Sequence, residues 1–237
     1  MGRLGQIAAR RVAACVVAAG MAGGGAAAFA SDPDRPLAQG ASAEAHEALK
    51  RALVDGDANG RPFAIVDKKQ ARLLVFRANG ELAGSAPALL GLARGDYAVA
   101  GLGRRPPGQI APHERTTPAG RFESQPGLNH RGEAIVWIDY DAALAIHRLR
   151  PAPAGERRPQ RLATPSPDDN RISLGCIVVD AAFYDAVVAP TLGRQRGVVY
   201  VLPESGPGTP WAPGATAMAP RGAGPLPQPA APAQPPI

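Results

Sequence analysis

The chain has 237 residues, of which 26 are Lys or Arg and 20 are Asp or Glu, so its formal net charge is +6. It contains no zinc-finger spacing, no aromatic RNA-binding pattern and no sustained Lys/Arg stripe, which excludes the common nucleic-acid-binding classes. It also shows no phosphate loop, no βαβ alternation and no internal repeat, which excludes the usual nucleotide-binding and solenoid folds.

Residues 1–30 are predicted to form a secretory signal peptide. Three arginines precede a small and apolar stretch, and Ala28-Phe29-Ala30 then forms an A-x-A cleavage site in front of Ser31. A retained membrane anchor is the alternative, but the stretch is rich in Gly and Ala and only weakly hydrophobic. We therefore expect an exported protein of the periplasm or cell envelope, with a net charge of +3 and no stable membrane anchor after cleavage.

Three further segments follow the signal peptide. Residues 31–60 form a lead-in, in which AEAHEALKRALVDG (43–56) has the apolar spacing of one short amphipathic helix. Residues 61–202 form the folded domain. Eleven of the 26 prolines lie in residues 203–237, mixed with Ala and Gly, so this tail is predicted to be disordered. A wall-spanning spacer or a docking segment is the alternative for the tail.

The folded domain is rich in short β-prone segments. The first three are separated by KKQA and by Asn79-Gly80, a hairpin-turn signal, which predicts an antiparallel meander. A later segment (180–192) begins with a capping Asp180 and predicts a helix that stops near Pro190. The sequence therefore predicts an α+β domain, mostly antiparallel β with few short helices. The predicted strands are PFAIVD (62–67), RLLVFR (72–77), ELAGSA (81–86), IVWIDY (135–140), ALAIHR (143–148), ISLGCIVV (172–179) and GVVYVLP (197–203).

RISLGCIVVD (171–180) contains Cys176, the one cysteine left after signal cleavage. Cys176 is either a nucleophile or a small core residue, because free cysteine is often buried and the apolar segment continues beyond it. A nucleophilic thiol needs a base or ion-pair partner and donors for the oxyanion. The main-chain N–H groups of Gly175 and Cys176 are candidate donors. The Ser173 hydroxyl either aligns this turn or caps the strand end.

His147 is the candidate base among the four histidines. It ends the apolar segment ALAI, where an imidazole needs a partner, and a hydrogen-bonded core histidine is the alternative. His113 lies in the loop PHERTTPAG and either touches substrate or is solvated, whereas His46 and His130 are predicted to be solvated. If His147 is the base, the Cys176 thiolate pairs with its imidazolium, which would lower the thiol pKa.

Three segments occur in an order that resembles a known family. TTPAGRF (116–122), IHR (146–148) and RISLGCIVV (171–179) together resemble the L,D-transpeptidase (YkuD-type) catalytic domain, over roughly residues 61–202. In that family a T-P-x-G-x-F segment shapes the site and a histidine follows on a strand. A Ser/Thr-His-Gly-Cys signature then ends in a branched apolar residue and Arg or Asn. The resemblance implies an L,D-transpeptidase-like fold.

The family's roles transfer to matching positions of this chain. The resemblance implies that Cys176 is the nucleophile, His147 its base and Ser173 the signature hydroxyl, with the oxyanion hole at Gly175 and Cys176. Two positions depart from the family pattern, because Leu174 stands where the family usually has His and Val178 stands where Arg or Asn is expected. Two polar contacts to substrate are therefore missing from the signature.

A basic insert separates the histidine from the signature. It reads RLRPAPAGERRPQRLATPSPDDN (148–170) and lies within the 25 residues between His147 and Ser173. A solvated loop is one interpretation. In the other, Arg171 or an arginine of the insert makes the carboxylate contact that Val178 lacks.

The resemblance implies an exported peptidoglycan L,D-transpeptidase that needs no metal and no organic cofactor. The Cys176 thiolate would attack the carbonyl of the third residue, diaminopimelate, of a stem tetrapeptide and release D-Ala, and a neighbouring stem's amine would resolve the thioester. The expected partners are peptidoglycan stem peptides and no nucleic acid. An L,D-carboxypeptidase with the same nucleophile, or a non-catalytic envelope-binding module, is the alternative function.

Overall fold

The computed structural model describes residues 41–204. The predicted signal peptide lies outside this range, and so do the first part of the lead-in and all of the tail after Glu204. Four short 3-10 turns lie in the connections of the described residues, at Leu102–Arg104, Pro107–Gln109, Pro112–Glu114 and Ala154–Glu156. The other elements are α1 (Ala43–Val54), β1 (Phe63–Asp67), β2 (Arg72–Phe76), β3 (Leu82–Gly91), β4 (Gly120–Leu128), β5 (Ala134–Asp139), β6 (Leu144–Arg148), α2 (Arg158–Ala163), β7 (Arg171–Ser173), β8 (Ile177–Val179), α3 (Ala181–Phe183), a π-helical turn (Tyr184–Val188), α4 (Ala189–Thr191) and β9 (Gly197–Val201).

The nine strands of the described residues form one mixed sheet in the order β2-β1-β9-β4-β5-β6-β8-β3-β7. A further β2–β3 pairing closes the sheet on itself. Most neighbours are antiparallel, but β1–β9, β3–β7 and β6–β8 are parallel. The described chain therefore has the predicted α+β class with mostly strands. Within residues 41–204, no helix is long and apolar enough to cross a membrane.

Side-chain alternation divides the apolar residues between the inside and the outside of the closed sheet. Along β1, Ala64 and Val66 join the interior cluster, whereas Phe63 and Ile65 face outward and are covered by α1. The helix begins at Ser42, whose hydroxyl accepts from the Ala45 N–H at 3.2 Å. Both faces of β1 are therefore buried, which explains its unbroken apolar sequence.

The structure confirms the β1–β2–β3 meander with its turn at Gly80, which has φ 81°. It corrects one prediction and adds one strand that the sequence did not predict. The segment predicted as one strand over 172–179 is broken into β7 and β8, because Gly175 has φ 141° and interrupts the extended backbone. Strand β4 was not predicted, since its sequence GRFESQPGL contains Pro and Gly and has polar residues on its exposed half.

A buried ion cluster joins the ends of β1, β7 and β9. The Lys68 ammonium is fully buried and donates to Asp96 Oδ1 at 2.6 Å. The Glu204 carboxylate accepts from Arg171 Nη2 at 2.5 Å and lies 3.8 Å from Lys68 Nζ. It also accepts from the Gly95 N–H at 2.8 Å. Each buried charge therefore has an opposite charge beside it, which is the condition for burying charge.

Removing one charge from this cluster is expected to destabilise the protein strongly. Glu204→Gln should lower the free energy of unfolding by about 3 kcal/mol, because it leaves the buried Arg171 guanidinium without its counter-charge. Chemical denaturation measures this change. The matched control is Glu81→Gln, which breaks an exposed pair with Arg77 and should change stability by less than about 0.5 kcal/mol. Equal effects of the two variants would contradict the buried cluster.

Candidate active site

Strand alternation brings His147 and Cys176 to one face of the sheet. Strands β6 and β8 are parallel neighbours in which Ile146 pairs with Ile177 and His147 pairs with Val178. Ile146 and Ile177 point into the interior cluster, so the residues beside them point outward. His147 and Cys176 are then diagonal positions on the outer face, of which Cys176 lines the cleft described below and His147 does not.

The turn before Cys176 is fixed by side-chain hydrogen bonds. Ser173 Oγ donates to the Cys176 carbonyl at 2.7 Å and accepts from the Gly175 N–H at 3.1 Å. The expected alignment of this turn by Ser173 is therefore present. The expected use of the Gly175 N–H as an oxyanion donor is wrong for this conformation, because that group already donates to Ser173.

A non-glycine residue cannot occupy position 175. A Cβ there would lie 2.7 Å from the Thr116 carbonyl oxygen, and the φ of 141° is one that L side chains rarely adopt. The glycine of the signature therefore permits the main chain of segment 115–117 to pass directly over the turn.

The Cys176 thiol is buried and neutral at physiological pH. Its residue is 5% exposed, and its S–H donates to the Ala143 carbonyl at 3.3 Å. Burial raises the thiol pKa to about 11, although a main-chain hydrogen bond at Ala145 and the charge of Arg150 oppose this rise. The expectation that a histidine lowers this pKa is wrong for the free protein.

The His147 imidazole is oriented to accept a proton. Its Nδ1–H donates to the Arg148 carbonyl at 2.9 Å, which leaves the lone pair on Nε2. Burial, and to a smaller extent the positive charge of Arg150, lowers the His147 pKa to about 4. The ring is therefore neutral near pH 7. Imidazole and thiol are thus both uncharged near pH 7.

A narrow cleft leads to Cys176 between the loops that connect β3 to β4 and the turn before β6. Its walls are mostly apolar and include Leu174 and Gly175 of the signature. Arg105 and Glu114 supply the charged side chains of the wall, and they pair with each other at 2.9 Å. The free volume is about 40 Å³, against roughly 300–1,000 Å³ for pockets that enclose drug-sized ligands. The cleft is therefore too small to enclose a drug-sized ligand.

The basic insert covers the outer face that carries the pair. Leu149 and Leu162 pack against the apolar cluster that contains Cys176 and Val178. Arg150, Arg157 and Arg158 line a second cavity of about 290 Å³ within the insert. The charges of Arg150 and Arg158 both lower the His147 pKa, so this cavity lies within electrostatic range of the imidazole. The insert thus packs against this face through Leu149 and Leu162, while about half of its residues are exposed as in a solvated loop.

Two sequence candidates lie away from the cleft. Arg171 is buried and donates to the Lys68 carbonyl and to Glu204, so its guanidinium is committed to the ion cluster. The hypothesis that Arg171 contacts substrate is therefore not supported, and the residue stabilises the fold. His113 is exposed in the 3-10 turn Pro112–Glu114 and does not line the cleft. His46 and His130 are exposed, as predicted.

Sequence reasoning missed Lys68 and Thr117. Thr117 Oγ1 donates to the Gly175 carbonyl at 2.7 Å, and Lys68 Nζ donates to the Thr117 carbonyl at 2.8 Å. Thr117 was part of a recognised segment, TTPAGRF, but its contact could not be read from spacing. Lys68 lies in KKQA, which separates two predicted strands and gave no sign of burial, since lysine is almost never fully buried unless it is paired.

Comparison with known proteins adds no identification. The chain matches no protein-family model, and it has no significant match among curated proteins. Within residues 41–204, no group of His, Cys, Asp and Glu side chains is arranged to hold a metal ion.

The buried neutral imidazole predicts an acid-dependent loss of stability. The folded pKa of His147 is about 4 and the unfolded value is near 6.5, so the unfolded state binds a proton first as the pH falls. The stabilising contribution is complete above pH 6.5 and is lost between pH 6.5 and 4. It amounts to about 3 kcal/mol at one pKa unit per 1.36 kcal/mol.

Denaturation of the wild type and of His147→Gln at pH 7 and pH 4 measures this effect. Between pH 7 and pH 4 the free energy of unfolding should fall by about 3 kcal/mol more in the wild type than in the variant, because the variant lacks the titrating ring. Identical losses would show that His147 is solvated and titrates normally.

Proposed function

We propose that this chain is an exported cysteine peptidoglycan L,D-transpeptidase of the YkuD type. One observation carries the proposal: Cys176 and His147 share one face of two parallel strands, with Nε2 of the imidazole free to accept a proton. The motif order TTPAGRF, IHR and RISLGCIVV supports the same assignment through its resemblance to that family.

The chemistry follows from the neutral resting pair. The Cys176 thiol transfers its proton to His147 Nε2 as the sulfur attacks the diaminopimelyl carbonyl of a stem tetrapeptide. The C–N bond to D-Ala then breaks, and His147 returns the proton to the leaving amine. This leaves a thioester on Cys176. The amine of a second stem attacks the thioester, His147 takes its proton, and the thiolate leaves and is reprotonated.

An L,D-carboxypeptidase differs only in the second step, where water replaces the acceptor amine. A non-catalytic envelope-binding module is favoured by other observations, namely the 5% exposure of Cys176, its raised pKa and the apolar Leu174 and Val178 in the signature. Retention of both Cys176 and an oriented His147 favours an enzyme over that module.

A muropeptide digest with purified protein tests the proposal. The wild type should release D-Ala and form a new cross-link, whereas a shortened stem without a cross-link would indicate the carboxypeptidase. Cys176→Ala should abolish turnover, and His147→Gln should lower it by about 100-fold or more, because a positioned base contributes roughly 10²–10⁴-fold. His130→Gln, in an exposed turn, is the control and should keep full activity. No product from the wild type, or full activity in Cys176→Ala, would overturn the enzyme assignment.

In this proposal an arginine of the insert binds the carboxylate of the stem peptide, because Val178 has no polar group for that contact. Arg148 cannot supply it, because its guanidinium lies over the Tyr184 ring and pairs with Asp185. Arg157 has a left-handed backbone, with φ 49°, and its exposed side chain lines the 290 Å³ cavity beside Arg150. We include in the proposal that this cavity receives a carboxylate of the stem peptide.

Removing the Arg157 guanidinium should weaken substrate binding. Arg157→Gly relieves the positive φ and should raise KM by about tenfold at low salt with kcat unchanged, which corresponds to a hydrogen bond to a charged group. The difference should shrink at high salt, where exposed charges are screened. The matched control is Arg194→Gly, an exposed arginine outside the insert, which should leave KM unchanged. Equal KM values for both variants would show that Arg157 does not bind substrate and that the insert has a purely structural role.

A further inference from the structure

The Lys68 ammonium uses all of its donors inside the protein. The side chain is fully buried, and Nζ donates to the Gly95 carbonyl at 2.7 Å, to Asp96 Oδ1 at 2.6 Å and to the Thr117 carbonyl at 2.8 Å. Three donors with three acceptors in fixed directions hold those groups in place. Lys68 therefore fixes the main chain of Thr117 relative to the end of β1.

The Thr117 side chain continues this connection to the candidate nucleophile. Its hydroxyl accepts from the Gly91 N–H at 2.8 Å and donates to the Gly175 carbonyl at 2.7 Å. Both partners are glycines, and the main chain of segment 115–117 passes close to each of them. A Cβ at Gly91 would lie 2.4 Å from the Arg115 carbonyl oxygen, and one at Gly175 would lie 2.7 Å from the Thr116 carbonyl oxygen. Segment 115–117 is thus clamped between the end of β3 and the turn before Cys176.

Nothing in the proposed reaction uses Lys68 or Thr117 directly. Lys68 does not line the cleft, and the Thr117 hydroxyl has its donor and its acceptor satisfied by main-chain groups. The carbonyl that accepts from the Thr117 hydroxyl belongs to Gly175, the residue immediately before Cys176. The contacts therefore act on the direction and the burial of the thiol.

We propose that Lys68 and Thr117 are positioning residues for Cys176. The buried ammonium holds the Thr117 main chain, and the Thr117 hydroxyl holds the Gly175 carbonyl, so that the turn presents the thiol to the cleft in one orientation. The inference rests on the proposed function for its turnover readout. Its second readout, the reactivity of the thiol toward a small alkylating reagent, is independent of peptidoglycan chemistry.

Thr117→Val tests the proposal, because it keeps the branched shape of the side chain and removes the hydroxyl that binds Gly91 and Gly175. With the turn released, kcat should fall by about 100-fold with KM within about twofold, as expected for a misplaced reacting group. Alkylation of Cys176 by iodoacetamide at pH 7 should instead become at least about fivefold faster, because local opening exposes the thiol. Thr117→Ser retains the hydroxyl and should restore both readouts.

Thr191→Val is the matched control for lost stability. It removes another buried threonine hydroxyl, which donates to the main-chain carbonyls of Val187 and Val188 in the π-helical turn. This control should keep the wild-type kcat and alkylation rate even where it lowers the free energy of unfolding as much as Thr117→Val does, or more. If Thr117→Val matches Thr191→Val in alkylation, the positioning role is overturned, whatever the turnover assay shows. If alkylation accelerates but the wild type has no turnover, the positioning role stands and the proposed function fails.

A second variant keeps the test decisive should Thr117→Val fail to fold. Asp96→Asn preserves a hydrogen-bond acceptor for Lys68 while removing the opposite charge, so the ammonium is held less firmly. The same two changes, lower kcat and faster alkylation, should appear with smaller amplitude. Wild-type values for both readouts in a folded Asp96→Asn protein would count against the role of Lys68.

Discussion

The close passage of segment 115–117 over two glycines is the constraint on which the rest of the site depends. A side chain at Gly91 or Gly175 would overlap main-chain atoms of that segment. With both positions open, the segment hydrogen-bonds to the turn before Cys176 through Thr117. The turn interrupts what would otherwise be one strand and starts β8 in the register that sets Cys176 beside β6.

Burial decides the chemistry available to the pair. A solvated cysteine and histidine would titrate near their ordinary values, but here desolvation raises the Cys176 pKa to about 11 and lowers that of His147 to about 4. Both shifts favour the uncharged forms. The thiol and the imidazole are therefore both neutral on the same face of the sheet, where Leu149 and Leu162 of the insert pack against the cluster that contains Cys176.

The ion cluster at Lys68 connects stability to the site. It joins the ends of β1, β7 and β9, and the same ammonium holds Thr117. A buried cation is expensive to desolvate and is retained where several partners satisfy it. The described chain ends at Glu204, whose carboxylate completes this cluster. The anchoring of β9 and the geometry of the turn before Cys176 thus share one set of contacts.

Local sequence pattern determined the α+β class, the helix at 43–54, the meander and the candidates Cys176 and His147, because alternation and turn residues act over a few positions. Only the tertiary structure decided which strands pair in parallel and where the predicted strand over 172–179 breaks. It also decided that Arg171 binds Glu204 and that Lys68 is buried. These outcomes depend on contacts between residues far apart in the chain. Desolvation, which sets both pKa values, likewise arises only when the insert and the sheet are packed together.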